Sequence, residues 1–160
     1  MKKLLLLAIA ILGMSTAQAQ KDGLTSTGVA FVDGVTQNSI DVAILNRVTQ
    51  NSIDVTFIDK VTQSSIDVAF VDSPTNASID VSEYVTQSST DIAILDRVTQ
   101  NSIDIAIIDR VTQNSIDICI VDRVTQNSID IYAPFYLTKE QIAAIVVIDK
   151  MKKEGTLEEY

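Results

Sequence analysis

From Val35 onward the chain alternates short apolar stretches with polar ones on a fixed beat. The segment Val48-Thr-Gln-Asn-Ser-Ile-Asp-Val-Thr-Phe-Ile-Asp-Lys60 aligns with copies beginning at Val35, Val48, Val61, Pro74, Val85, Val98, Val111 and Val124. The step is 13 residues, except for 11 between Pro74 and Val85. A degenerate earlier copy, Gly28-Val-Ala-Phe-Val-Asp33, matches Asp67-Val-Ala-Phe-Val-Asp72 at five of six places, so the array runs from about Thr25 to Ile131. Thirteen residues at about 100° each would rotate successive helical units by roughly 220°, so a helix could not keep one apolar face through the array. Val, Ile, Thr and Phe fill Ile40–Leu45 and its equivalents, and Gln-Asn-Ser supplies turn chemistry. Each unit therefore reads as a strand, a corner at Asn46-Arg47, a short strand over Val48–Gln50 and a second corner at Asn51-Ser52.

Near-identity between copies distinguishes two ways of arranging them. In an antiparallel meander adjacent copies run in opposite directions and gain nothing from being alike. In a solenoid each residue sits about 4.8 Å above its counterpart and like stacks on like. The prediction is an all-β chain: a short-coil β-solenoid of about eight 13-residue repeats with a C-terminal α-helical cap. Alternation places Ile40, Val42 and Ile44, or Ile103, Ile105 and Ile107, inside, with Asp41 and Asp104 outside. Val48, Val61, Val98, Val111 and Val124 are assigned to the facing inner column. Leu45, Ile58, Val71, Leu95, Ile108 and Val121 fall on the outward phase beside Ala43, Thr56, Ala69, Ala93, Ala106 and Cys119. Two readings follow: a bulge turns them back into the core, or they form an exposed stripe that packs against another chain or a terminal segment. The copy from Pro74 to Tyr84 is predicted to narrow or bend its coil, with a notch around Glu83 and Tyr84 as the functional variant.

The flanks differ in kind. Lys2-Lys3, the apolar run Leu4–Leu12 and the small residues ending Ala17-Gln18-Ala19 have the three parts of a secretory signal peptide. The organisation is thus 1–19 signal peptide, 20–34 N-terminal lead-in and degenerate repeat, 35–131 tandem-repeat solenoid, and 132–160 hinge, C-terminal helix and acidic tail. Tyr132–Leu137 is an aromatic hinge, and Thr138-Lys-Glu-Gln141 fits a capping box opening a helix from Lys139 to about Lys153. That helix is apolar nearly all round over Ile142–Ile148, which suits it to covering the open end of the last coil. A degenerate strand over Ala143–Asp149 is the rival.

Composition narrows the chemistry. The net charge of -9 repels phosphate backbones and excludes nucleic acid, and no later segment is long and apolar enough to be an integral membrane span of the mature chain. There is no His and one Cys, which excludes His-based triads, zinc clusters and disulfide frameworks. A ladder offers one group many times where catalysis needs different groups converging on one point, so the chain is read as no enzyme. Cys119 is a small filler in a column of Ala, Thr and Ser. One Asp column, Asp41, Asp54, Asp67, Asp80, Asp91, Asp104, Asp117 and Asp130, requires solvation or pairing, or else holds calcium; Asp41, Asp54, Asp67, Asp104, Asp117 and Asp130 are the candidate ligands, with no other cofactor implied. In a second column Asp59, Asp96, Asp109 and Asp122 are each followed by Lys60, Arg97, Arg110 or Arg123, predicting an alternating charge network along one edge.

Thr49, Thr62, Thr99, Thr112 and Thr125 form an outward hydroxyl column, a candidate binding surface. It resembles the threonine ladders of ice-binding proteins, the insect antifreeze family having a similar coil length, though without that family's paired cysteines or Thr-x-Thr double file here. The Gln50-Asn51-Ser52 ladders resemble those of curli-type secreted amyloid subunits. By period and composition the chain resembles bacterial exported short-tandem-repeat proteins, a group with no assigned activity. The expectation is a non-enzymatic repeat protein exported through a Sec-type signal to the periplasm or exterior. There it acts as a structural or binding and assembly module of the cell envelope, through self-association or an envelope protein partner.

Overall fold

The computed structural model describes Leu24 and residues 28–157. The expected leader, residues 20–23 and 25–27 of the lead-in and the last three residues lie outside the described residues. Each complete repeat folds first as a local knot of hydrogen bonds. In the copy at Val48, the Thr49 amide donates to Ser52 Oγ (2.9 Å), the Ser52 amide reaches back to the Thr49 carbonyl (3.4 Å), and Ser52 Oγ donates to Asp54 Oδ1 (3.1 Å). One serine therefore closes the turn and tethers the first carboxylate of the next strand. The same set recurs around Ser39, Ser65, Ser89, Ser102, Ser115 and Ser128. Among the described residues no non-glycine residue takes a positive φ, so Gln-Asn or Gln-Ser turns without strain.

Between the turns, the described residues form nine strands: β1 Val29–Val32, β2 Ile40–Leu45, β3 Ile53–Ile58, β4 Ile66–Phe70, β5 Ile79–Ser82, β6 Thr90–Leu95, β7 Ile103–Ile108, β8 Ile116–Val121 and β9 Ile129–Tyr132. One helix, α1, follows at Lys139–Glu154. The described residues are all-β but for this helix and a 3-10 turn, and their strands are all parallel, as a solenoid-like winding requires. The winding closes on itself. Each strand pairs not with the next copy but with strands four and five copies away, in the ring β1-β5-β9-β4-β8-β3-β7-β2-β6 and back to β1. The expected stacking of adjacent copies is thereby corrected: Asp41 and Asp54 lie on strands separated by β7.

Consecutive strands skip one place in the ring. A first lap lays down β1 to β5, and a second lap drops β6 to β9 into the four gaps. The repeats record this. The mid-strand inward residue is Val29, Val42, Val55, Val68 and Val81 on the first lap and Ile92, Ile105, Ile118 and Ile131 on the second, all fully buried. Interleaving alternates small with large around the ring, as barrel interiors favour. Only β1 and β5 are directly adjacent members of one lap. At this seam Val29 pairs level with Val81, whereas every other junction staggers equivalent residues by two. The two residues missing from the outlying copy take up that difference, since β5 stops at Ser82 and β6 begins at Thr90.

Carrying the register once round the ring from Val29 returns to the axis of β1 displaced by 16 residue steps, a shear of 16. Nine strands with that shear tilt by about 50° and enclose a cylinder of roughly 10–11 Å radius, enough for a helix and one surrounding layer of side chains. Helix α1 fills it. Its residues Ile142 to Asp149 are buried on every face and share one cluster with inward residues of all nine strands. The helix is where the capping box predicts, with Thr138 and Gln141 exchanging bonds and Gly155 left-handed at φ 68°. It is a core rather than an end cap, however. Eight consecutive buried positions, all but Asp149 apolar, are what a surrounded helix needs.

The valine column is a second correction. Val35, Val48, Val61, Val85, Val98, Val111 and Val124 are 52–59% exposed. Each precedes a turn and has no pairing partner, because the inner layer is complete with the strand residues and the helix.

Candidate functional surface

Strong stagger brings the end of one strand level with the start of the next. Ala106 of β7 pairs with Leu45 on one side and Asp54 on the other, so the connection Asn46–Ser52 crosses the outer face of β7 at Ala106. Ala43, Thr56, Ala69, Ala93 and Cys119 hold equivalent places, and all are at most 2% exposed although they face away from the core. Thr56 spends its hydroxyl on the Ile108 carbonyl of β7 at 2.7 Å. The column is small because chain passes over it. The tract between β4 and β5 crosses β9, which carries Tyr132 instead of a small residue. That tract is rebuilt as a 3-10 turn at Pro74–Asn76, capped by Ser73.

Leu45, Ile58, Val71, Leu95, Ile108 and Val121 are half-buried on the outer face, each at the point where its connection departs. They neither turn into the core nor join into a continuous stripe, since for Leu45, Ile58, Leu95, Ile108 and Val121 the paired neighbour is a small residue and Val71 lies past the end of β4. Thr49, Thr62, Thr112 and Thr125 are exposed and Thr99 half-exposed at the turn openings. They are distributed around a curved wall, successive copies being two strands apart.

The strand carboxylates likewise lie diagonally, each level with a small residue of its neighbour except Asp80, which is level with Tyr132. Asp41, Asp54, Asp67, Asp91, Asp104, Asp117 and Asp130 each accept from the serine two residues earlier. Asp80 has no such bond, because Ser78 Oγ turns to the Asp130 carbonyl. Among the described residues no three carboxylates or thiols gather as metal ligands. Nor does the expected charge network form among the described residues: Lys60, Arg97, Arg110 and Arg123, and Arg47 with them, join no ion pair there, the pairs present being Lys150–Glu154 and Lys153–Asp149 within α1.

Two buried features escaped sequence reading. Asp149, inside the barrel, accepts the Leu24 amide (2.8 Å) on Oδ1 and the Lys153 ammonium (2.6 Å) on Oδ2, tying the start of the described chain to its end. Nearby, Lys152 donates to Thr90 Oγ1 at 2.9 Å; burial lowers its pKa, with the Asp149 charge opposing. On the outer wall burial raises the pKa of Cys119, and the negative charges of Asp67 and Asp59 raise it further.

At the helix C-terminal end a cleft of about 560 Å³ opens between Val48–Asp54 and Lys150, Met151 and Glu154 of α1, floored by Ile53, Ile116 and Val147. No helix among the described residues is long and apolar enough to cross a membrane. Comparison with known proteins finds no matching family model, no matching curated protein and no matching solved structure.

Proposed function

We propose that this chain is an exported, non-enzymatic repeat protein that acts at the cell envelope by presenting one short surface motif many times from a rigid wall. One observation carries the reading: seven equivalent valines stand exposed on connections whose backbone amides and serine hydroxyls are satisfied within the turn. An apolar group costs free energy in water, and a scaffold that repeats it on a rigid loop favours contact at several points at once. The interior contributes rigidity, since the helix occupies it. The leader-like segment 1–19 supports export.

The test replaces all seven valines by serine. The variant is expected to keep its melting temperature within about 2 °C, because exposed positions contribute little to stability, while moving from the envelope fraction to the soluble fraction of cells. Retention of the folded variant in the envelope, or cytoplasmic residence of the wild-type chain, would refute the proposal.

A further inference from the structure

In the linear sequence the five basic residues of the repeats, Arg47, Lys60, Arg97, Arg110 and Arg123, are scattered between copies two and eight of the array. The two-lap winding sorts them. They follow β2, β3, β6, β7 and β8, and these strands are consecutive in the ring as β6-β2-β7-β3-β8. Equivalent residues on neighbouring strands are two places out of step, so the five cations follow one another along an oblique arc at about 8 Å spacing. All five are exposed, and none has an ion-pair partner among the described residues.

The remaining strands, β4-β9-β5-β1, complete the ring with no Lys or Arg on any of them or on the connections that leave them before α1. This flank carries the carboxylates of Asp33, Asp72, Asp80 and Glu83, all exposed. Among the described residues none of the four accepts a side-chain hydrogen bond, and Asp80 is the one strand aspartate that its serine has abandoned. The barrel is thus polarised across its width: all five repeat cations lie on one side, interspersed with the nine carboxylates of the same strands and connections, while the other side carries carboxylates with no cation among them.

We propose that this polarity is an assembly device, the cationic arc of one copy docking on the cation-free flank of a second copy. A second copy is favoured over an external polyanion because Asp59, Asp96, Asp109 and Asp122 stand beside four of the five cations. A uniformly charged polymer would meet those carboxylates too, whereas a discrete set of acids can be positioned against the cations alone. The two faces differ, so the contact is heterologous and leaves a free face at each end, giving a row or a ring rather than a closed two-fold dimer. This inference uses the flanks and not the exposed valines, and it stands or falls separately from the proposed function.

The experiment is sedimentation velocity on the purified chain over a concentration series, at about 0.01 M and about 1 M salt, where the screening length falls roughly tenfold. Species larger than dimer are expected at low salt and monomer at high salt. Two variants carry the assignment: Arg47→Glu with Arg110→Glu, and Asp72→Lys with Asp80→Lys, each verified as folded by its melting curve. Either variant alone is expected to remain monomeric at low salt, while an equimolar mixture of the two assembles again, since each then offers the charge the other lacks. A monomeric wild type at low salt, assembly indifferent to salt, assembly by either variant alone, or a mixture that stays monomeric would each overturn the proposal.

Discussion

Enlarging Ala106 tests the winding directly. Were the outer wall bare, Ala106→Leu would put a leucine in water at little cost. In the closed barrel Ala106 is 0% exposed, flanked by Leu45 and Asp54 and crossed by the connection that joins those two strands. Added carbons have nowhere to go without lifting Asn46–Ser52 or prying β2 from β7. Overpacking of this kind costs about 1–3 kcal/mol, or a fall in melting temperature of roughly 3–10 °C for a domain of this size. Thermal unfolding followed by circular dichroism measures it, with Val98→Leu, on an exposed turn, as the control that should stay within about 1 °C. The chain's own variation agrees with the constraint, as the column admits Ala, Thr and Cys and nothing larger among its crossed, fully paired strands. If Ala106→Leu melts with the control, no chain passes over β7 and the two-lap path is wrong.

Two further outcomes follow from the turn and the thiol. Ser115→Ala should destabilise more than Ser39→Ala, because Asp117 is only 8% exposed and loses a 2.7 Å donor, whereas Asp41 is half open to water. The costs should be about 1.5–3 and about 0.5–1.5 kcal/mol, read from urea melts; equal effects would show that burial of the carboxylate does not matter. Cys119 should alkylate more slowly than a free thiol at neutral pH, and the rate should climb with pH beyond the usual thiol range, because burial and two aspartates hold its pKa up. Labelling at the rate of a model thiol would place it outside the cover of Asp59–Ser65.

Much of this fold can be read from local rules. The 13-residue beat, the strand phase at Ile40–Ile44, the corner at Asn46-Arg47, the capping box at Thr138 and the stop at Gly155 each depend on neighbours in sequence. Pairing does not. Strands meet at separations of 52 and 61 residues because the ring must close, and no single repeat contains that information. Yet two traces of it are written in the chain. The change from Ile-Asp-Val in early copies to Ile-Asp-Ile in later ones marks the two laps, and the small-residue column on the outward phase marks a covered wall. The valines were misplaced because alternation was carried past the strand end into Val48–Gln50, where an unpaired segment obeys no such rule. The candidate surface was half legible: its residues are visible in the repeat, but the sorting of cations to one flank exists only after the second lap.

The skip of one place per strand also sets a rule of number. A path that advances two places at a time reaches every position of a ring only when the count of positions is odd; with an even count it bites its own tail after a single circuit. Gaining or losing one unit, the commonest accident of tandemly duplicated genes, would therefore not lengthen or shorten this molecule but deny it a closed form. Drift in copy number, easily tolerated by open-ended arrays, is here a change of parity that the two-place path cannot absorb.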